Sequence, residues 1–249
     1  LIFRDEDLDP ARSREHFAAA MFEDLRWLGI EWQEGPGEVG GPCGPYEQSR
    51  RRDVYLDAWQ RLLKGGWIYP CVCSRKDLAR SAQAPHEGAL APNDEALYPG
   101  TCRPPFGSLL TRAAAPAGVN WRFRVPDGET LSFADLRQGP QAFIAGRDFG
   151  DFLVWRRDDV PSYQLAVTVD DWLMRVTEVV RGVDLLKSTA RQLLVQRALG
   201  YATPAYYHCD LVTDEQGFRL SKRHDALSLR ALRDAGVTAA QLLGRLSPG

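Results

Sequence analysis

The stretch from Pro161 to Leu194 constrains the fold more than any other part of the chain. Tyr163-Gln-Leu-Ala-Val-Thr-Val169 is short, apolar and rich in β-branched residues, a pattern expected of a buried strand. It stops at two carboxylates, Asp170 and Asp171. Arg175 to Val180 reads as a second strand, which stops at Arg181-Gly182. Ser188 is placed to cap a helix running to Leu199, with Gly200 as its C-terminal stop. Charged groups set where buried strands end are how an open α/β sheet builds a ligand site. The expected fold class is therefore α/β, and Arg181 is a candidate ligand-binding residue. A guanidinium can grip a carboxylate in two parallel hydrogen bonds. The plainer roles are a surface ion pair for Arg181 and a core aromatic for Tyr163.

The chain has 249 residues, enough for one large domain or two small ones with a substantial core. No apolar run is long enough to cross a membrane. Leu1-Ile2-Phe3 is not a signal peptide, because Arg4-Asp5-Glu6-Asp7 follows at once. The chain opens without methionine on strand-like residues and is expected to be truncated at its start. A formal net charge of −2 does not announce a nucleic-acid binder, so an RNA partner would need a local basic face. Candidates are Arg50-Arg51-Arg52, Arg103, Arg112, Arg156-Arg157 and Lys222-Arg223, though for any one cluster solvated surface is the preferred reading. The five cysteines are an odd number, and the close pair Cys71-Val72-Cys73 suggests metal binding in a reducing cytosol rather than a disulfide framework.

Asp9 and Pro10 are placed as N-cap and first residue of a helix whose apolar face is Phe17, Met21, Leu25 and Leu28, ending at Gly29. The acidic cluster before it would serve as helix capping. A second helix is expected from about Arg50 to Lys64, with Tyr55, Leu56, Trp59, Leu62 and Leu63 on its apolar face. Trp67 to Cys73 reads as a strand, which projects Cys71 and Cys73 from one face so that two thiolates can meet one ion. Cys102, in Tyr98-Pro99-Gly100-Thr101-Cys102, supplies a third. Chemistry alone would choose His86 as the fourth ligand, since imidazole is a common zinc ligand and a phenol a poor one. Trp121–Val125 and Thr130–Phe133 flank Pro126-Asp127-Gly128, a hairpin signal. A strand is expected at Cys209–Thr213, and only Leu227–Arg230 and Thr238–Leu246 look helical after it.

Several of these pieces resemble one family. Tyr-Gln-Leu-Ala-Val-x-Val-Asp-Asp, Val-Val-Arg-Gly-x-Asp-Leu-Leu and Ser-Thr-x-Arg-Gln look like the glutamyl-tRNA synthetase group of class I enzymes, and most like its short family, the glutamyl-queuosine tRNA(Asp) synthetases. Arg4-Asp5-Glu6-Asp7-Leu8-Asp9 resembles the group's Arg-x-Glu-Asp-x-Asp. Gly44-Pro45-Tyr46-Glu47-Gln48-Ser49 resembles its Gly-Pro-Tyr-x-Gln-Ser. Arg219-Leu220-Ser221-Lys222-Arg223 resembles the class I signature Lys-Met-Ser-Lys-Ser, with arginine in place of the first lysine. Gln164 and Asp184-Leu185-Leu186-x-Ser188-Thr189 look more like the short family.

The resemblance implies a class I, Rossmann-like core interrupted by a small zinc-bearing insertion. The first part of the core would span residues 1–69, the insertion 70–147 and the second part of the core 148–213. The ATP loop and short C-terminal helices would occupy 214–249. Glu6 would contact the substrate amino group, while Tyr163 and Arg181 would bind glutamate. Arg219, Leu220, Ser221, Lys222 and Arg223 would form the ATP loop, with Lys222 as the catalytic cation that neutralises phosphate charge. Cys71, Cys73, Tyr98 and Cys102 would hold a structural zinc; the family places tyrosine as fourth ligand, and His86 stands as the alternative.

The implied reaction activates glutamate with ATP and Mg2+ to glutamyl-adenylate, then transfers it to queuosine in the anticodon of tRNA(Asp). Positioning and charge stabilisation suffice, with no side-chain nucleophile. The enzyme is expected to be cytoplasmic and monomeric. The family's opening segment, with a glutamate-binding arginine and a His-x-Gly-His-type motif, and a helical anticodon-binding domain after the ATP loop are both expected to be absent. The alternatives are a truncated glutamyl-tRNA synthetase charging tRNA(Glu) and a non-catalytic synthetase paralogue that binds RNA or protein.

Overall fold

The computed structural model describes residues 1–9, 13–37, 40–74, 77, 97–105, 113–212 and 229–246. The chain divides into two compact units, Leu1–Arg50 with Asp210–Gly249, and Arg51–Cys209.

In the first unit, Ile2 and Asp5 make isolated parallel bridges to Glu34 and Glu47. Helix α1 spans Glu15–Trp27. The expected cap at Asp9 is replaced by Arg14, and Pro10 lies outside the described residues. The expected apolar face is also rotated: Phe17 and Met21 are exposed, whereas Phe22 and Trp32 pack on Phe3, with ring centroids 5.4 and 5.1 Å from it. Helices α5 and α6 occupy Leu229–Asp234 and Ala239–Leu246 in the C-terminal part of this unit.

Among its described residues the second unit shows two sheets and three α-helices. Strands β1 (Ile68–Cys71), β2 (Asn120–Phe123) and β5 (Phe152–Trp155) form an antiparallel sheet in the order β1-β2-β5. Strands β3 (Thr130–Asp135), β4 (Gly139–Ile144), β6 (Glu178–Gly182) and β7 (Ala205–Cys209) form a mixed sheet in the order β4-β3-β7-β6. The helices are α2 (Arg52–Lys64), α3 (Tyr163–Leu173) and α4 (Leu186–Leu199). Trp59, Trp121, Tyr55, Leu62, Ile68, Phe123 and Trp155 form the core and are essentially solvent-free, with Trp59 edge-on to Trp121 at 5.0 Å. Among the described residues no helix is long and apolar enough to cross a membrane.

Four elements differ from expectation. Tyr163–Val169 is the start of helix α3, not a strand. Ser162 caps it, its hydroxyl accepting from Leu165 N–H at 3.4 Å, and the seven residues from Leu165 to Asp171 are all buried. A helix buried all round presents a continuous apolar run, which periodicity cannot distinguish from a buried strand. The strand expected at 175–180 begins at Glu178 and carries Arg181 and Gly182 within it. The hairpin expected around Pro126-Asp127-Gly128 does not form, because β2 and β3 join different sheets. Strand β3 turns back on β4 instead, with Asp135 opposite Gly139. The strand expected at 209–213 lies earlier, at 205–209.

The mixed sheet sets the polar side chains of the site. Strands β6 and β7 run parallel with α4 between them, the crossover that parallel strands require. Their register sets Arg181 beside His208. Strand β3 runs parallel to β7 with Asp135 beside Tyr206. Since side chains alternate along a strand, Arg181, His208, Tyr206 and Asp135 all project from one face of the sheet.

Candidate active site and metal centre

Among the described residues, the hydrogen-bond partners of the Arg181 guanidinium are His208, Thr189, Gln192 and Tyr163, with no carboxylate among them. Its Nε donates to His208 Nε2 at 3.1 Å, and its Nη2 donates to Thr189 Oγ1 at 2.7 Å and Gln192 Oε1 at 2.8 Å. Its Nη1 reaches Tyr163 Oη at 3.4 Å. It also lies over the Tyr206 ring, 5.3 Å from the centroid. Thr189, Gln192 and Gln196 lie three and four residues apart on the sheet-facing side of α4, and all three are buried. Gln192 is held by Gln164, which in turn donates to Ser188 at 3.1 Å. Ser188 is thus an interior residue of α4 rather than its cap.

Among the described residues of this unit, no carboxylate lies within ion-pair distance of Arg181. A partly buried cation with only neutral acceptors keeps its attraction for an anion. Both Nη2 hydrogens are committed, so the group offers Nη1 beside the Tyr163 hydroxyl rather than the symmetric two-pronged fork expected from sequence.

Two residues beneath Arg181 were not singled out by sequence reasoning. His208 is fully buried, and its Nδ1 lies 2.6 Å from Asp135 Oδ2. Asp135 Oδ1 accepts backbone N–H bonds from Arg137, Gln138 and His208, at 3.0, 2.8 and 3.2 Å. Burial raises the Asp135 pKa, but these N–H bonds and the His208 ring outweigh it and hold the carboxyl at about 2. Neither residue carries a local motif. Only the strand register brings them together.

Asp170 and Asp171, expected as strand-end carboxylates, lie on α3. Asp170 is fully buried in an ion pair with Arg51 Nε at 2.7 Å and accepts from Tyr55 Oη at 2.8 Å. This pairing ties α3 to the start of α2 and uses Arg51, one of the basic cluster, inside the core.

Glu6 lies in the first unit, where Arg4 Nη2 is 3.3 Å from its carboxylate. The Gly-Pro-Tyr-Glu-Gln-Ser segment anchors the same unit. Tyr46 Oη donates to Glu34, and Ser49 donates to Asp7 from its N–H at 2.7 Å and its hydroxyl at 2.5 Å. Burial, then the Asp7, Glu47 and Glu6 carboxylates, raise the Asp5 pKa. Arg219, Leu220, Ser221, Lys222 and Arg223 lie outside the described residues, as does His86.

A second constellation gathers at the end of β1. The Sγ atoms of Cys71, Cys73 and Cys102 lie within 4.8 Å of one another. Tyr98 Oη sits 3.4 Å from Cys71 Sγ and 3.7 Å from Cys73 Sγ, and accepts the Cys102 N–H at 2.7 Å. The Arg122 guanidinium stacks on the Tyr98 ring at 3.9 Å and donates from Nε to Cys71 Sγ at 3.3 Å. Strand β1 ends at Cys71, so Cys73 reaches the cluster from the following loop. Burial raises the Cys73 thiol to about 11. Cys102 falls to about 7, because hydrogen bonds from Tyr98, the Val72 N–H and the neighbouring thiols outweigh its burial. The three thiols are compatible with a zinc site, with the Tyr98 phenol and the Arg122 guanidinium beside them.

Residues 1–246 match the family described as tRNA synthetases class I (E and Q), catalytic domain. The chain belongs to this family. By that membership it is a ligase of the aminoacyl-tRNA synthetase type, and its α/β fold is the class I catalytic domain. It is 49% identical over 252 residues to glutamyl-Q tRNA(Asp) synthetase of Symbiobacterium thermophilum, covering 99% of this chain and 75% of that protein. It is 47% identical to the protein of the same name from Nitratidesulfovibrio vulgaris, again covering 75% of it. Glutamate–tRNA ligase 2 of Nitrosococcus oceani is 44% identical, and the chain spans 51% of its length. Among solved structures, a glutamate tRNA ligase from Elizabethkingia meningosepticum, in complex with its amino acid, superposes with a TM-score of 0.71 at 26% identity. That match covers 91% of this chain and 46% of the other.

Proposed function

We propose that this synthetase chain activates glutamate with ATP and transfers it to queuosine in the anticodon of tRNA(Asp). The observation that carries the glutamate reading is Arg181, a partly buried cation with no carboxylate among its hydrogen-bond partners in the described residues. The names borne by the relatives at 49% and 47% identity support the queuosine acceptor.

In this reading Arg181 Nη1 and the Tyr163 hydroxyl bind the side-chain carboxylate of glutamate, and Glu6 binds its ammonium. The α-carboxylate attacks the α-phosphate of ATP, forming glutamyl-adenylate and releasing pyrophosphate. Arg219, Leu220, Ser221, Lys222 and Arg223 are assigned to ATP by their resemblance to the class I signature, with Lys222 balancing the charge that develops on the leaving group. Mg2+ accompanies ATP. A hydroxyl of queuosine then attacks the activated carbonyl and releases AMP. Zinc held by Cys71, Cys73, Cys102 and Tyr98 stabilises the fold around β1 and supplies no chemistry to substrate. The free thiols suit a cytoplasmic enzyme.

The test is transfer of labelled glutamate by the full-length gene product containing this chain. Queuosine-containing tRNA(Asp), the same tRNA without queuosine, and tRNA(Glu) are compared. Label on queuosine-containing tRNA(Asp) alone is expected. Label on tRNA(Glu) would instead make it a glutamate–tRNA ligase, the activity named for relatives at 39–44% identity. No label on any of the three, with folding verified, would leave a non-catalytic paralogue.

A further inference from the structure

We propose that Asp135 and His208 are positioning residues for Arg181, acting as a relay that aims the guanidinium without neutralising it. This inference rests on the reading of Arg181 as the group that binds the glutamate side chain.

The argument begins with proton placement. Arginine Nε can only donate, so His208 Nε2, 3.1 Å away, must accept. The imidazole proton therefore sits on Nδ1 and is given to Asp135 Oδ2 at 2.6 Å. Thr189 Oγ1, 3.3 Å from Nε2, can share the same acceptor. The opposite tautomer, or a protonated ring, would set an N–H of His208 against the N–H of Arg181. Asp135 selects the working tautomer, and it is well placed to do so. Its other oxygen is fixed by three backbone N–H groups from the β3–β4 turn and β7. The His208 ring is further confined by Tyr206, which lies nearly parallel to it at 6.1 Å.

The arrangement has a chemical purpose that a direct ion pair would lack. A carboxylate placed on Arg181 would cancel the charge needed for an anionic ligand and compete with it. Setting the carboxylate one residue back, behind a neutral imidazole, orients the guanidinium through Nε and leaves its charge for the ligand. Outer partners of this kind hold histidine ligands in metal sites by the same tautomer logic.

The test uses the full-length gene product. The nitrogen shifts of His208 are read by NMR, and KM values for glutamate and ATP are obtained from glutamate-dependent pyrophosphate–ATP exchange. Wild type is expected to carry its His208 proton on Nδ1. Asp135→Asn, whose amide can donate to Nδ1, is expected to move that proton to Nε2. It should raise the glutamate KM by about tenfold or more, the scale on which outer-shell partners act, with the ATP KM unchanged. His208→Gln, which can return an acceptor to Arg181 Nε, should retain glutamate binding better than His208→Leu by a comparable factor.

A wild-type proton on Nε2 would overturn the proposal. So would an unchanged glutamate KM in Asp135→Asn despite a moved proton, or equal KM values for the Gln and Leu variants. If Asp135→Asn does not fold, the wild-type tautomer and the His208 pair still decide. Arg181→Gln separates the two readings: if it too leaves the glutamate KM unchanged, the assignment of Arg181 itself fails, whatever the tautomer.

Discussion

At the scale of single residues, charge and hydrogen-bond direction decide what the site can hold. Arg181 meets four neutral acceptors, and lysine cannot reproduce that planar set of donors. Arg181→Lys should therefore raise the glutamate KM about tenfold to a hundredfold, the equivalent of losing one or two charge-assisted bonds, with little change in the ATP KM. Steady-state exchange kinetics check this. Asp135 makes a second prediction. Its folded carboxyl titrates near 2, below its ordinary value of 3.8, so the ionised form favours the folded state. Its contribution is fully present above about pH 4 and is lost as pH falls from there toward 2. Denaturant midpoints for wild type and Asp135→Asn should accordingly differ most above pH 4 and converge as the pH approaches 2. A gap that stays constant to pH 2 would contradict the protonation argument.

At the scale of elements, the informative cases are those where local pattern and tertiary context disagree. Helix α3 reads as a strand because burial on every side removes the alternation that marks a helix face. Helix α4 buries Ser188, Thr189, Gln192 and Gln196 against the polar face of the sheet, so a stripe that looks solvent-facing in sequence is interior. Its end is legible, however. Gly200 adopts φ 69°, a left-handed conformation that glycine takes without penalty. A Cβ there meets no atom within 4 Å, so Gly200→Ala tests backbone strain alone. It should destabilise the protein by about 1 kcal/mol, with kinetic constants unaltered. Thermal or urea unfolding measures the first and exchange assays the second.

At the scale of the whole molecule, the thiol cluster ties distant sequence together. Cys71 ends β1 and Cys73 follows it, while Tyr98 and Cys102 come from a later segment. A bound zinc would tie these two segments together and stabilise the fold that presents them. The purified protein is expected to contain zinc by elemental analysis, and chelation should lower its unfolding temperature. Cys102→Ser and Tyr98→Phe should each reduce zinc retention in a competition assay against a chromogenic chelator. Full retention in Tyr98→Phe would remove the phenol from the ligand set and direct attention to His86.

Sequence by itself determined the chemistry that lies in contiguous motifs. The Tyr163 to Gln192 segment, the Cys-x-Cys pair with its third cysteine, and the Gly200 stop are legible because they depend on residue type at short spacing. The α/β class and the synthetase family follow from these. Tertiary structure decided whatever depends on register between strands far apart in the chain. It set Asp135 and His208 under Arg181, sent β2 and β3 to different sheets, and put Arg51 against Asp170. A parallel register aligns residues through a crossover rather than a turn, so no local signal specifies it. The interior polar groups of the site are legible only once the sheet that buries them has formed.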